Sequence, residues 1–569
     1  MRRVLLCTVL IAVSAGLVMA AGQTEGAAAT AVAVNPPGTY PIVDEIVTID
    51  LMTRYGAVES DGNYQDAAFT AYFEELTNVR VNFVDIVEAQ AWQERLNLVL
   101  ASGDLPDTIM VQGVMSGQEV FTNGVFGNFI PVDDLIENWM PALAATLEEY
   151  PVYAAQLVMP DGKRYSFPSL EGTCYHCTMS RKMWVYMPWL EELGLEVPET
   201  TEQFYQMLVA FRDGDPNRTG RADTIPMTGA ATGAWQAQPL VPFLLSSFIY
   251  TDPANFLKRD GGELSFVANT PEWRDGLRYM ARLYREGLMQ PDWFTQDSGQ
   301  LRATVENAGP ALVGAVPAGW YGVFSINGWD GSGRFADFHP IAPLAGPGGV
   351  RQAVYMPYAV SHHTVISSTS RYPEVIARWN DWFYESYENR EIGNNWVFPD
   401  VDYRWLTEEE KAAGELLARD FSIADTFPLR TQTYGEDRFW DGWRRLAPAW
   451  VAGGGGAMPL DWADDPTKQE WRLAESTAEL YEPFKSVHYM PPGLVVSDEL
   501  QDELADLRQL IIGVAGAPGL VEQFYAEFVT GGRDINNDAH WRAYVTELER
   551  AGVNRYVQIM QETVTAAGY

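Results

Sequence analysis

Between residues 47 and 111 the apolar residues switch period repeatedly, and that alternation leaves few folds open. Val47, Ile49 and Leu51 alternate with Thr48 and Asp50, and Val79, Val81 and Phe83 alternate with Arg80 and Asn82. A period of two puts like side chains on one face of a strand. Between these runs Phe69, Tyr72, Phe73 and Leu76 recur at i, i+3, i+4 and i+7, one stripe of a helix. A second helix carries Trp92, Leu96, Val99 and Leu100, stops at Gly103 and precedes a third strand, Thr108 to Val111. Strand, helix, strand, helix, strand predicts a parallel sheet with right-handed crossovers. Such sheets take ligands at the carboxyl ends of their strands, which points to Thr53–Gly56 and Gln112–Met115 as cleft loops.

Later segments read as mostly helical, through Trp273, Leu277, Met280 and Tyr284, then Val375, Trp379, Trp382 and Phe383, then Trp541, Tyr544, Val545 and Leu548. Pro/Gly-rich breaks at Ala342–Gly349 and Gly453–Gly456 read as loops or crossings between packed pieces. A chain of 569 residues exceeds what one hydrophobic core supports, so at least two lobes are expected.

The N-terminus reads as an address rather than as fold. Met1-Arg2-Arg3 is basic, Val4–Val18 is apolar and Val18-Met19-Ala20 suits cleavage, a secretory signal peptide over residues 1–20. The apolar stretch is shorter than the roughly 20 residues that span a bilayer. Cys7 sits too early for a lipid anchor, so no lipobox is read and a periplasmic or extracellular location is expected. Residues 21–42, rich in Ala, Gly, Thr and Pro, read as a flexible leader. Loss of Arg2 and Arg3 takes the formal charge from −37 to −39. A surface this acidic repels phosphate backbones and anionic lipid, which argues against nucleic acid or membrane as partner.

The run Asp215-Pro216-Asn217-Arg218-Thr219-Gly220-Arg221-Ala222-Asp223 puts oxygen donors at loop positions 1, 3, 5 and 9. The carbonyl of Arg221 is available at position 7, and Gly220 stands at position 6, where a calcium loop turns sharply. Position 12 is Pro226, so an EF-hand's closing carboxylate is missing. The run reads either as a calcium cradle or as a solvated turn, since the same residue types make turns for local reasons. Cys174 and Cys177, in Cys-Tyr-His-Cys, read as a small disulfide loop or as two free thiols. Zinc needs four ligands, and His176 is the only neighbour that could add one.

Four stretches together resemble a family. They are Leu98–Asp107, the Arg181–Trp184 to Trp189–Leu195 segment, the Asp-Pro-Asn loop, and Phe528–Gly531 followed by Trp541, Tyr544, Leu548 and Gly552. They look like the long extracellular solute-binding proteins of ABC importers, closest to lipoprotein-type oligosaccharide binders and alginate-binding proteins, over about Val43–Tyr569. The resemblance implies a two-lobed α/β periplasmic-binding-protein fold, type II-like, with the ligand cleft between lobes joined by crossing segments. Lobe 1 would hold 43–168 and about 358–440; lobe 2 would hold 169–357 and about 441–569.

Alginate-binding members carry Asp-x-Asn-x-Asn-x-Lys-x-Asp-Glu around calcium. The matching residues here are Asp215, Asn217, Thr219, Arg221 through its carbonyl, and Asp223. Thr219 replaces Asn and Thr224 replaces Glu, so a structural Ca²⁺ is expected, held more weakly. The resemblance also places Gly233–Gln238, Pro317–Tyr321 and Asn395–Phe398 near the cleft. Trp235, Trp320, Tyr321 and Trp396 are then expected as stacking faces, with Trp329, Arg430 and Trp440 behind them, although any single aromatic serves equally well as core. With 33 Arg against 6 Lys, Arg430 or Arg404 could clamp a carboxylate, but a chain this acidic is an awkward host for polyanions and favours a neutral oligosaccharide.

The expected function is an exported, monomeric binding protein that captures an oligosaccharide and delivers it to an ABC permease, with no catalysis. A secreted glycoside hydrolase is the first alternative, since two carboxylates about 5 to 10 Å apart would suffice. A ligand sensor partner is the second. The sequence contains no nucleophile elbow, zinc-protease helix or phosphate loop.

Overall fold

Val47, Ile49 and Leu51 are all buried, and their strand, β1, runs Val47–Tyr55. The computed structural model describes residues 32–569 apart from 56–62, 89–90, 112–114, 170–174, 234–239, 326–332, 358, 387, 390–391, 515–516 and most of 394–468. β2 (Val79–Glu88) and β3 (Thr108–Met110) lie parallel to β1 on either side, as the alternating periods predict. The helices Ala68–Thr77 and Trp92–Ser102 fill the crossovers. Gly103 ends the second in the left-handed region at φ 71°, a conformation that glycine adopts without a Cβ penalty.

β4 (Phe167–Ser169) closes the far edge of this first sheet. β5 (Met183–Tyr186), β6 (Ile225–Met227), the hairpin β7 (Leu257–Asp260) and β8 (Glu263–Phe266), β9 (Val313–Pro317) and β10 (Phe338–Ile341) follow, and β11 (Ser361–Ile366) returns to the first sheet. The first sheet is ordered β2-β1-β3-β11-β4 and the second β10-β5-β9-β6. Each has its own core. Ile49, Leu51, Met110 and Ile366 point to one face of the first sheet, where the helix Pro373–Glu385 packs; Met52, Ile109, Val111 and Val365 point to the other. The second sheet is buried beneath Thr201–Asp213, Pro271–Arg285 and the C-terminal helices Leu520–Thr530, Asp538–Arg550 and Val553–Ala566. The molecule is thus a two-lobed α/β protein.

Among the described residues, two crossings between the lobes, 169–183 and 341–361, have both ends set in sheet registers. The chain leaves the first sheet at Ser169 and returns at Ser361, and these residues face each other across β4 and β11. It enters the second sheet at Met183 and leaves at Ile341, which face each other across β5 and β10. Pro317, the last residue of β9, pairs with Met183. The end of the second sheet that carries Met183, Pro317 and Ile341 is therefore the end from which both crossings depart toward the first lobe.

A further contact comes from the strap Gly493–Gln501, just before and within the helix Asp498–Ile511. Val496 is buried in the second core, while its neighbour Val495 packs against the first lobe. The helix Gly117–Phe126, started by a Ser116/Glu119 capping box, receives it. Gly117 is necessary there, because a Cβ would lie 2.8 Å from His362 Nε2 and 3.0 Å from Val495.

Two sequence expectations are revised. Thr53, Arg54 and Tyr55 continue β1 instead of forming a loop, while the rest of the two expected cleft loops lies outside the described residues except buried Met115. The end of the expected flexible leader is held down: Val34 bridges Val43, Ile42 is fully buried, and the carbonyls of Pro36 and Thr39 lie 3.4 and 3.3 Å from a donating Arg378 guanidinium nitrogen. Arg378 is itself buried, and a buried guanidinium needs acceptors. Tyr40 hydroxyl also donates to Glu385, 2.7 Å.

Candidate functional site

Tyr321 follows β9 by a few residues, at the sheet end that faces the first lobe. It lines a pocket of about 270 Å³ with Trp184, Phe335, His339 and Pro340 on one side and Arg472, Glu475, Ser476 and Glu479 on the other. Trp184, Tyr321 and Phe335 are almost wholly buried and form its floor. The Trp184 indole N–H donates to Ala318 O at 2.8 Å, and the Tyr321 and Phe335 rings stand 5.4 Å apart, so the floor is fixed in orientation.

The polar wall owes its shape to a local change of winding. The α-helix Gln469–Ser476 continues as a π turn, Thr477–Tyr481. The Ser476 and Thr477 hydroxyls both donate to Leu473 O, at 3.1 and 2.7 Å, as hydroxyls do where a helix is rewound. Leu473, Thr477 and Tyr481 turn inward, and the Tyr481 hydroxyl donates to Ile341 O at 2.7 Å. Arg472, Glu475 and Glu479, at i, i+3 and i+7, are left along the pocket. Burial pushes the Arg472 guanidinium below its usual pKa, while Asp337 and Glu475 act the other way. Burial also pushes down the pKa of His339, and Arg472 adds to that.

Of the expected stacking residues, Tyr321 lines this pocket and Trp320 does not. The Trp320 ring lies over Gly322, whose Cβ would fall 2.2 Å from it, and packs 5.3 Å from the Tyr321 ring. Trp235, Trp329, Trp396 and Trp440 lie outside the described residues. Arg430 ends a short strand, Pro428–Arg430, opposite Tyr403. The sequence reading missed Trp184, Phe335, Arg472, Glu475 and Glu479. The available signal was the polar stripe at 472, 475, 476 and 479, set against inward-facing 473 and 477.

The loop Asp215–Asp223 joins the helix Thr201–Asp213 to β6. Gly220 has φ +64° with open space around its Cβ position, so backbone conformation, not room, calls for glycine. Asp215 and Arg218 also have positive φ, uncommon for residues with a side chain. The Asp215 carboxylate accepts from Thr219 N–H at 3.1 Å and Gly220 N–H at 3.0 Å. The Thr219 hydroxyl and Asn217 amide both donate to Asp223 Oδ1 at 2.9 Å, and these two bonds, Asn217 first, hold the Asp223 carboxyl below its usual pKa. Arg218 donates to Glu192 at 2.8 Å, tying the loop to the helix Met187–Leu193. Two carboxylates, an amide, a hydroxyl and the Arg221 carbonyl are the oxygen donors a calcium ion takes; with six to eight needed, water would complete the shell. Among the described residues no group of three or more His, Cys, Asp or Glu is placed to hold a metal, consistent with a set that has only two charged members.

Cys177 is disulfide-bonded; Cys174, its expected partner, lies outside the described residues. His176 is buried, and burial first, then Lys182, pushes its pKa down to about 3, which suits a packed neutral imidazole. Lys182, fully enclosed, donates to His176 O at 3.1 Å and Met179 O at 2.6 Å.

Comparisons with known proteins give the frame for these features. Residues 56–386 match the family described as bacterial extracellular solute-binding protein. The fructooligosaccharide ABC transporter substrate-binding protein FusA of Streptococcus pneumoniae is 27% identical over 537 residues, covering 92% of this chain and 91% of that one. The structure of FusA with kestose superposes with a TM-score of 0.70 at 24% identity, over 91% of this chain and 99% of FusA; another is of a FusA EF-hand mutant with fructo-nystose. An HMO-binding, ABC-transporter-associated solute-binding protein of Bifidobacterium longum infantis reaches 0.70 at 17% identity, over 92% and 99%.

Proposed function

The chain belongs to the bacterial extracellular solute-binding proteins that serve ABC importers, and from that premise we propose that it captures an oligosaccharide between its two lobes and delivers it to a permease. The observation that carries the ligand class is the pocket beside Tyr321, with an aromatic floor and a polar wall of one guanidinium and two carboxylates. Such sites recognise sugars by apolar ring faces and a few placed hydrogen-bonding groups. Lobe closure over the sugar would be the signal the permease reads.

The lobes are read as 43–168 with about 358–440, and 169–357 with the C-terminal part. Because Trp443 and Leu446 pack in the first core, the last boundary is placed beyond 446. Export by a cleaved signal peptide and a monomeric state belong to the same reading. The protein returns its ligand unchanged, in keeping with a family of binding proteins. Ca²⁺ in the 215–223 loop is structural, through Asp215, Asn217, Thr219, the Arg221 carbonyl and Asp223. The donor set supports this, and so does the EF-hand in FusA.

The test is a glycan panel followed by thermal shift, since a ligand that binds only the native state raises Tm, with chromatography of the recovered glycan. A panel without effect refutes carbohydrate binding. Protein-dependent shortening of a glycan refutes the absence of catalysis.

A further inference from the structure

We propose that Tyr481 is the positioning residue that couples a filled pocket to the angle between the lobes, through its hydroxyl at the root of both crossings. The inference rests on the carbohydrate reading above and deepens it. The hydroxyl donates to Ile341 O at 2.7 Å and accepts from Met183 N–H at 3.4 Å. Ile341 and Met183 face each other across β10 and β5, where the crossings 341–361 and 169–183 meet the second sheet. The ring is held as well. Lys182 Nζ stands 4.7 Å from its centre and donates to the carbonyls of His176 and Met179, all within the first crossing. Tyr481 is fully buried, so its partners are these protein groups and not solvent.

Contacts on either side extend this point into a link. Before Tyr481, the helix Gln469–Ser476 and the π turn supply Arg472, Leu473, Ser476 and Leu480 to the pocket lining. After it, Ala353 N–H donates to Phe484 O at 2.7 Å and Ser486 N–H to Ala353 O at 3.1 Å, a parallel bridge to the second crossing. The Ser486 hydroxyl adds a bond to Gln352 Oε1 at 3.1 Å. The same stretch ends in the strap, which meets the first lobe through Val495 and through the Gln118 bonds to Val496. One run of chain, 469–501, thus starts at the pocket wall, passes the root of both crossings, follows one of them and finishes on the opposite lobe. A sugar that draws on the wall helix displaces Tyr481, and because buried backbone groups keep their hydrogen bonds, the crossing ends move with it. Coupling of this kind requires a contiguous element that both sites bias, and this run is such an element.

The experiment uses the full mature chain, spin-labelled at Leu98→Cys and Val197→Cys, one exposed position on each lobe. Kestose, maltotriose and a fucosylated milk trisaccharide are the probes, with affinity read by calorimetry. Wild type is expected to bind at least one of them and, when saturated, to pass to a second interlobe distance. Tyr481→Phe keeps the ring and removes the hydroxyl. At saturation it is expected to leave about a third or more of the molecules at the unliganded distance, against about a tenth or fewer in wild type, and to weaken the probe about threefold. Tyr544→Phe is the control, since the buried Tyr544 hydroxyl makes a bond of the same kind to Ala268 O at 2.8 Å in the C-terminal core. It is expected to lower Tm and still close completely. Complete closure of Tyr481→Phe with wild-type affinity overturns the coupling, and so does incomplete closure of both variants, which would assign the effect to general loosening. Should Tyr481→Phe not fold, Ser486→Ala, which opens the next bond in the run, is read by the same two outcomes. Binding by wild type with no change of distance also overturns the coupling while leaving carbohydrate binding in place. No binding of any probe overturns the carbohydrate reading itself, and this inference with it.

Discussion

The side chain of Gln118 pairs with both backbone groups of Val496, a residue 378 positions away: its amide donates to Val496 O at 3.2 Å and its carbonyl accepts from Val496 N–H at 2.9 Å. A side-chain amide thus does across the lobes what a neighbouring strand does within a sheet. Thr122 repeats the contact one turn on, donating to Gln501 at 2.9 Å. Gly493, packed on the Gln156 side chain, completes it, while Gln156 itself accepts from Val360 N–H in the second crossing at 3.0 Å. The strap therefore lies beside the hinge, where a rotation of the lobes displaces atoms least.

Gln118→Ala should then cost about 1 to 3 kcal/mol in chemical denaturation, because part-buried backbone groups lose their partner. With spin labels at Leu98→Cys and Val197→Cys, both exposed, the interlobe distance distribution should broaden in the variant. An equally narrow distribution would show that the strap does not restrain the lobes.

Lys182 gives a pH signature. Burial pushes its pKa down to about 7 from 10.5, so between these values the unfolded chain holds a proton that the folded chain has released. Stability should rise as pH goes from about 7 to 10, by up to about 1.4 kcal/mol per pH unit. A neutral amine has two N–H donors, matching the two carbonyls it meets. Lys182→Met should flatten this segment of the stability profile; an equal rise in the variant would assign it to other groups.

Asp215→Ala should lower Tm in calcium buffer and leave it nearly unchanged in chelator. Sugar affinity should move little, since the loop lies between the helix Thr201–Asp213 and β6, outside the pocket lining. Identical melting of wild type with and without calcium would dismiss the ion.

Tyr321 and Trp320 should separate cleanly. Tyr321→Ala removes part of the pocket floor and should weaken a bound neutral sugar by about 1 to 3 kcal/mol. Trp320→Ala, which uncovers Gly322, should cost mainly stability. The reverse pattern, from melting and affinity measured on both variants, would move the site.

The parallel sheet was readable because its strands and helices carry uninterrupted periods: Val47 to Leu51 and Phe69 to Leu76 lie where their spacing put them. The turn at 215–223 was readable because its chemistry is local: Asp215, Asn217, Thr219 and Asp223 bond within the loop around Gly220. The pocket was not. Trp184, Tyr321 and Glu479 come from three separated stretches, and only the pairing of β5 with β9 and β10, plus the π turn, brings them together. No local period encodes a rewound helix: residues 469–481 look the same to a helical count whether or not Tyr481 turns inward. Most large aromatics were also indistinguishable in advance. Trp443 stands edge-on to Phe69 at 4.9 Å and donates to Thr70 at 2.7 Å, a core role set by residues more than 370 positions away.

Ser169 with Ser361, and Met183 with Ile341, anchor the two crossings as facing pairs at both ends. Sliding one lobe past the other would have to unzip two ladders at once, whereas tilting leaves every rung intact. These two crossings therefore oppose a slide of the lobes more than a tilt. A membrane partner that samples only this tilt can tell a filled protein from an empty one without touching the cargo, so the same docking faces can serve sugars of different length.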